Sequence, residues 1–106
     1  MKKENILKKN LEFQKIINKK KQTINKYLII YYVKSDHFEI GISIPKKFIN
    51  AVKRNFIKRQ IKWILESYVE YKNIKYKLVL IVRKEYLSLT IDEKKEQIIK
   101  MFQKFK

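Results

Sequence analysis

The chain has 106 residues, an apolar content of 45% and a formal net charge of +17 at pH 7. This length predicts a single domain spanning residues 1–106, and the apolar content disfavours disorder. Cysteine is absent, which excludes disulfides and thiolate metal sites, and the apolar runs are too short for a transmembrane span or a signal peptide. We therefore expect a cytoplasmic protein whose positive charge is directed at nucleic acid.

The N-terminal segment predicts a short helix. Residues 1–9 are strongly charged, and we expect them to be mobile. A helix is predicted over residues 10–19, with Asn10 as a plausible N-cap. Phe13 and Ile17 are four residues apart and share one side of this helix, which indicates that they belong to the core.

Two strands are predicted next. Residues 23–33 are rich in β-branched and aromatic side chains and predict one strand that is apolar on both faces. A polar turn at residues 34–36 leads to a returning strand that ends at Ile44. On this second strand Gly41 and Ser43 share a face, and their small side chains leave room for another group to approach closely.

The sharpest bias in the sequence lies at residues 44–68, which contain seven basic residues and no acidic residue before Glu66. A helix is predicted from Phe48 to about Tyr71. Its apolar stripe consists of Ile57, Ile61, Ile64, Leu65 and Tyr68. A polar stripe beside it consists of Asn55, Lys58, Arg59 and Lys62, with Arg54 on the border. A cationic row without acidic neighbours repels itself unless an anion lies against it, and a phosphate backbone suits a row of this length.

Two aromatic residues of the same helix leave two interpretations open. Phe56 and Trp63 are seven residues apart and lie on a face away from the isoleucines. They either pack against another helix or form a stacking surface beside the phosphates.

The C-terminal third predicts a strand and a helix. Residues 76–83 read as a central strand that is apolar on both faces, and the order strand, helix, strand predicts a crossover to a parallel neighbour. Thr90 and Glu93 form a capping box that opens the last helix. Its predicted core residues are Ile91, Ile98, Met101 or Phe102, and Phe105. The resulting order α-β-β-α-β-α predicts an α+β fold, a two-layer sandwich.

Residues for catalysis are scarce. The single histidine, His37, stands beside Asp36, and most of the ten carboxylates are scattered. Asp92, Glu93 and Glu96 lie in the first turn of the last predicted helix, where the helix dipole already favours acidic residues. Because Gly41 is the only glycine, the sequence cannot contain a glycine-rich phosphate loop. We expect this chain to perform no chemistry with its own side chains.

The segment IGISIPKKFINAVKRNFIKRQIK resembles the central motif of the protein subunit of bacterial ribonuclease P. The matching residues are Lys46, Lys47, Asn50, Ala51, Val52, Arg54, Asn55, Lys58 and Arg59. The resemblance extends over nearly the whole chain, through LEFQKII, YLIIYYV, LVLIVRK and LTIDEKKEQI. It implies the order α-β-β-β-α-β-α with a left-handed β-α-β crossover, as in the second domain of ribosomal protein S5.

The resemblance also implies a function. The chain would bind the catalytic RNA subunit and the 5′ leader of precursor tRNA, and so assist Mg²⁺-dependent endonucleolytic maturation of tRNA. The Mg²⁺ would act through the RNA, with none bound tightly by the protein alone and one protein per RNA. The implied RNA-binding residues are Lys46, Lys47, Asn50, Lys53, Arg54, Asn55, Lys58, Arg59 and Lys62. The implied leader cleft contains Phe13, Ile17 and Tyr31.

The sequence departs from the family pattern at several positions. Phe56 replaces the second arginine of Arg-Asn-Arg, Lys62 replaces the final arginine, and Ile49 stands where glycine is common. Lys20 replaces a usual glycine after the first helix. The change at Phe56 removes one phosphate contact, and Lys62 keeps the charge without the bidentate fork of arginine.

Three alternatives remain open from the sequence. A ribosomal or RNA-assembly protein would explain the charge and the basic helix equally well, but gives no reason for a leader cleft. An independent nuclease is disfavoured because the chain lacks the acid-base and metal-binding residues that such an enzyme needs. Binding to an anionic membrane surface is disfavoured because the predicted strands account for most apolar residues.

Overall fold

The computed structural model describes residues 1–7 and 10–105, and for Asn10 the backbone alone. Three helices and four strands follow the order α-β-β-β-α-β-α. The helices are α1 (Asn10–Asn18), α2 (Ala51–Tyr68) and α3 (Ile91–Phe102). The strands are β1 (Gln22–Ile24), β2 (Leu28–Lys34), β3 (Glu39–Ser43) and β4 (Tyr76–Val82). The predicted α+β class is confirmed, while the N-cap role predicted for Asn10 lies outside the described side chains.

The prediction of a single strand at residues 23–33 is wrong, because this segment contains most of two strands, β1 and β2. Asn25 lies between β1 and β2, and its Oδ1 accepts hydrogen bonds from the backbone N–H of Tyr27 and of Leu28, each at 2.8 Å. An asparagine side chain bonded to its own following backbone produces a turn without glycine or proline. The chain therefore reverses at Asn25, and β1 pairs antiparallel with β2.

The sheet has the strand order β1-β2-β4-β3. The central position predicted for β4 is confirmed, since β4 pairs antiparallel with β2 and parallel with β3. The prediction that β3 returns directly beside β2 is wrong, because β4 lies between them. The predicted crossover is confirmed, as α2 connects the parallel strands β3 and β4.

We call the side of the sheet covered by α2 and α3 the closed face. Alternate residues of β2 and β4, among them Leu28, Ile30, Leu78 and Leu80, pack there with apolar residues of both helices. From α2, Ile57, Ile61, Ile64 and Leu65 are buried as their spacing predicts. From the C-terminal segment, Ile98, Met101, Phe102 and Phe105 are buried. Tyr68 and Ile91 were also predicted in the core, but they are 46% and 41% exposed, since each stands at a helix end.

We call the opposite side of the sheet the open face. Only α1 and the segment before it cover this side, and they do so around a small buried cluster of Leu7, Ile16 and Val79. Residues 1–9 were expected to be mobile, whereas Leu7 is buried and its N–H donates to the Ile40 carbonyl at 2.9 Å. Residues 8 and 9 lie outside the described part. The two-layer sandwich thus carries a partial third layer.

Candidate functional site

The basic helix begins later than predicted. A turn precedes α2, and Asn50 caps it by accepting a hydrogen bond from the Lys53 backbone N–H at 2.9 Å. The guanidinium of Arg54 donates to the Ile49 carbonyl, also at 2.9 Å. Asn50 and Arg54 were predicted only as RNA contacts. The structure gives each of them a second role in fixing the start of α2.

We define the basic surface as the nine residues predicted to bind RNA. They are Lys46, Lys47, Asn50, Lys53, Arg54, Asn55, Lys58, Arg59 and Lys62, and none of them is buried. Within residues 1–7 and 10–105, none of them takes part in an ion pair. The first turn of α2 also contains no acidic residue, so α2 itself places no carboxylate at its positive dipole end. Glu85 lines a cavity together with Lys47 and Ile49 just before α2. Within the described residues, the positive charge on this surface is therefore not neutralised by ion pairs.

The second predicted site lies on the open face, where Phe13 contacts the sheet. The ring of Phe13 covers Gly41 so closely that a Cβ at this position would overlap it. Gly41 was predicted to permit a close approach, and Phe13 of α1 makes that approach. Phe13 is half-buried, so packing and exposure are combined in one side chain.

Ile17 lies near the C-terminal end of α1. Tyr31 lies on β2, where it pairs with Gln22 of β1. Ile17 and Tyr31 are half-buried and both line a shallow cavity of about 360 Å³. The cavity is completed by Asn18, Lys20 and Gln22. All three predicted cleft residues pack against the same buried cluster, but only Ile17 and Tyr31 share this cavity.

Lys20 lines this cavity, although the sequence did not place it among the predicted cleft residues. It has a φ of 61°, the one positive φ at a non-glycine residue in the described part of the chain. Its N–H donates to the Ile17 carbonyl at 3.0 Å, directly after the end of α1. A left-handed residue at the end of a helix favours glycine, which gives a physical reason for the glycine expected here from the family pattern.

Phe56 and Trp63 are not packed in the core. Phe56 is 56% exposed and Trp63 is 46% exposed, which decides against the interpretation that they belong to a core against another helix. The ring of Trp63 meets that of Tyr68 edge-on, with centroids 5.7 Å apart. Lys95 of α3 places its Nζ 5.6 Å from the Trp63 ring and 5.1 Å from the Tyr68 ring. No pattern in the sequence indicates this contact between helices.

Among the described residues, no three His, Cys, Asp or Glu side chains are grouped so as to hold a metal ion. In the same residues, no helix combines the length and the apolar character needed to cross a membrane.

Comparison with solved structures places this fold among known proteins. The ribonuclease P protein of Staphylococcus aureus is 30% identical, with 96% of this chain and 98% of that chain covered and a TM-score of 0.81. The protein from Thermotoga maritima gives a TM-score of 0.82 at 23% identity, with 94% and 96% covered, which shows likeness of fold.

Sequence comparison identifies the family. The model of the Ribonuclease P family matches residues 1–106. The ribonuclease P protein component of Mycoplasma mobile is 57% identical over 98% of this chain and 92% of its own length. That of Mycoplasmopsis pulmonis is 54% identical over 100% of this chain and 96% of its own. The chain belongs to the ribonuclease P protein family.

Proposed function

We propose that this chain binds the catalytic RNA of ribonuclease P through its basic surface and holds the 5′ leader of precursor tRNA on its open face. Membership of the family supports a partnership with that RNA. The observation that carries the proposal is the placement of two different surfaces on one small domain. An unneutralised basic helix start lies apart from a half-open aromatic cleft.

The basic surface is suited to a folded RNA backbone. Its cations come from one helix and the turn before it, and Arg54, Lys58 and Lys62 recur every four residues, so these three follow one edge of α2 and suit successive phosphates. Arg59 is exposed, and its planar fork suits bidentate contact with a phosphate. The positive end of α2, whose first turn contains no acidic residue, adds to the same attraction.

The open face is suited to a single strand. Tyr31 offers an aromatic ring with part of its surface accessible, and bases of unpaired nucleotides stack on such rings. Lys20 lines the same cavity and places a cation beside the ring for the adjoining phosphate. Phe13 continues the apolar surface toward β3, where it covers Gly41.

In this proposal the RNA subunit performs the hydrolysis and carries the Mg²⁺ that it requires. The protein raises the affinity for the precursor by holding its leader, in the cytoplasm and as one protein per RNA. No step of bond cleavage is assigned to a side chain of this chain.

The direct test is cleavage of a precursor tRNA by bacterial ribonuclease P RNA at low Mg²⁺, with and without this protein. We expect stimulation with a long leader and a loss of stimulation when the leader is trimmed to one or two nucleotides. Absence of stimulation, together with tight binding to other structured RNAs, would instead support a ribosomal or RNA-assembly protein.

A binding measurement separates the two arginines of the basic surface. Arg59→Ala should weaken binding to the catalytic RNA and lower the slope of log K against log salt by roughly 0.7–0.9, the value for one phosphate contact. Arg54→Ala should do the same and also destabilise the protein, because its bond to the Ile49 carbonyl is lost. Lys72→Ala, an exposed cation outside the basic surface, is the matched control. If Arg59→Ala and the wild type gave the same slope of log K against log salt, Arg59 would not contact a phosphate of the RNA.

A further inference from the structure

A second feature of α2 lies beside the basic surface. Phe56 and Trp63 lie on the solvent side of the helix, and Val52 continues the same line at 76% exposure. Tyr68 meets Trp63 at the C-terminal end. We call Phe56, Trp63 and Tyr68 the aromatic row. Three large exposed rings on one helix of a small domain form a surface that burial within this chain does not explain.

Cations lie within and beside the aromatic row. Arg59 follows Phe56 by three residues and precedes Trp63 by four, so its side chain emerges between the two rings. On the other side, the Nζ of Lys95 lies over the rings of both Trp63 and Tyr68, and it also forms an ion pair with Asp92 at 3.5 Å. Arg59 therefore supplies the row with a cation that has no ion pair within the described residues, whereas the charge of Lys95 is shared with a carboxylate.

We propose that the aromatic row is a stacking site for unpaired nucleotides of the RNA that the basic surface binds. The inference rests on the proposed function, since it requires that RNA to lie along α2. Bases would stack on Phe56 and Trp63, while Arg59 meets the phosphates beside them. The row adjoins the basic surface on the same helix, so one RNA can contact both without any change in the protein.

Charge argues for RNA over a second copy of this chain as the occupant. Two copies would each bring a formal net charge of +17 to the interface, and the cations of the row would face each other. A polyanion neutralises the same cations and supplies flat apolar bases for the rings. The chemistry of rings and charges together therefore fits single-stranded segments of a nucleic acid.

The test uses the full-length protein and ribonuclease P RNA without precursor tRNA, so that no leader is present. Trp63 is the only tryptophan, and its fluorescence reports on the row alone. We expect quenching when the catalytic RNA binds, and no quenching when a fully paired duplex RNA binds through its phosphates. Phe56→Ala and Trp63→Ala should each lower the affinity for the catalytic RNA about 5- to 10-fold, with an unchanged salt slope.

A matched control and distinct outcomes make the test decisive. Leu11→Ala removes an apolar side chain of α1 that is more exposed than Phe56 or Trp63, and it should leave the affinity unchanged. Binding of the catalytic RNA without quenching, or with full affinity in Phe56→Ala, would overturn the aromatic row while leaving the proposed function intact. A lack of binding by the wild type would overturn both. Sedimentation of a dimer that Phe56→Ala dissociates would assign the row to contact between copies instead.

Discussion

The two faces of the sheet differ in how completely they are covered. The closed face has two helices above it and a large buried cluster that includes Ile61, Leu65 and Phe102. The open face has one short helix and three buried residues, with half-buried rings at its margin. The same strands serve both faces, because successive residues of β2 and β4 point to opposite sides.

In the proposed function, this difference separates the residues that stabilise the fold from those that bind the leader. Burial of apolar surface is the main source of folding free energy, and most of it lies on the closed face. The open face retains accessible aromatic surface at Tyr31 and Phe13. A ligand could not reach these rings if they were completely buried. A small domain can therefore keep one face for its core and leave the other available for a partner.

The largest expected effect is a difference in stability between isoleucine-to-alanine substitutions on the two faces. Ile61→Ala in α2 should lower the free energy of unfolding by about 2–5 kcal/mol, because Ile61 is fully buried and a cavity would remain. Ile17→Ala in α1 should cost only about 1 kcal/mol, since Ile17 is half-buried and borders an open cavity. Urea denaturation of both variants measures the difference. Equal losses would mean that the open face contributes as much to the core as the closed face.

The contact between Phe13 and Gly41 tests how tightly the open face is packed. Gly41→Ala should lower stability by about 1–3 kcal/mol, because the new Cβ displaces the Phe13 ring. In a Phe13→Ala background the same change should cost far less, which a double-mutant cycle of unfolding free energies measures. Ser43→Ala, on the same face of β3, is the control. An identical cost of Gly41→Ala in both backgrounds would contradict the contact.

The sequence predicts local periodicity well and non-local pairing poorly. The core residues of α2 follow from helical spacing, which depends only on the chain near each residue. The neighbour of β3 does not, because β4 enters the sheet beside it from more than thirty residues away. The hairpin at Asn25 was missed because a side-chain hydrogen bond there replaces the usual glycine or proline.

The site shows the same division. Gly41 indicated a close approach, but its partner Phe13 comes from a distant helix and is visible only in the fold. The charge of the basic surface was evident from composition, whereas the bond of Arg54 to the Ile49 carbonyl depends on how α2 begins. Lys95 meets Trp63 through the packing of α3 near α2, which periodicity within either helix does not reveal.

A smaller effect with the opposite sign concerns Lys20 at the margin of the open face. Lys20→Gly should raise the free energy of unfolding by roughly 0.5–1 kcal/mol, because a lysine is strained at a φ of 61°. Lys19→Gly, one residue earlier, should lower it, since Lys19 has no positive φ to relieve. Thermal unfolding of both variants compares them. If Lys20→Gly also weakens leader binding, the cation at the cavity contributes to the cleft.

The smallest expected effect depends on pH and lies at the polar edge of the open face. His37 contacts Asp36 at 2.7 Å and Glu39 at 3.0 Å, and Lys77 reaches the same Glu39 oxygen at 3.3 Å. The hydrogen bond to Asp36 is the main reason that the pKa of His37 is raised, and the charge of Glu39 adds to it, while burial and Lys77 oppose it.

Since the folded protein binds this proton more tightly than the unfolded chain, protonation of His37 stabilises the fold. That stabilisation is fully present below the pKa of His37 in the unfolded chain and is lost as pH rises through its raised pKa in the folded protein. His37→Gln should therefore lower the urea midpoint more at about pH 5.5 than at about pH 8.5. In an Asp36→Asn background this dependence on pH should shrink, because the main cause of the shift is removed. A loss that is the same at both pH values would show that His37 stabilises β3 by contact alone and that its charge has no part in holding the edge of the open face.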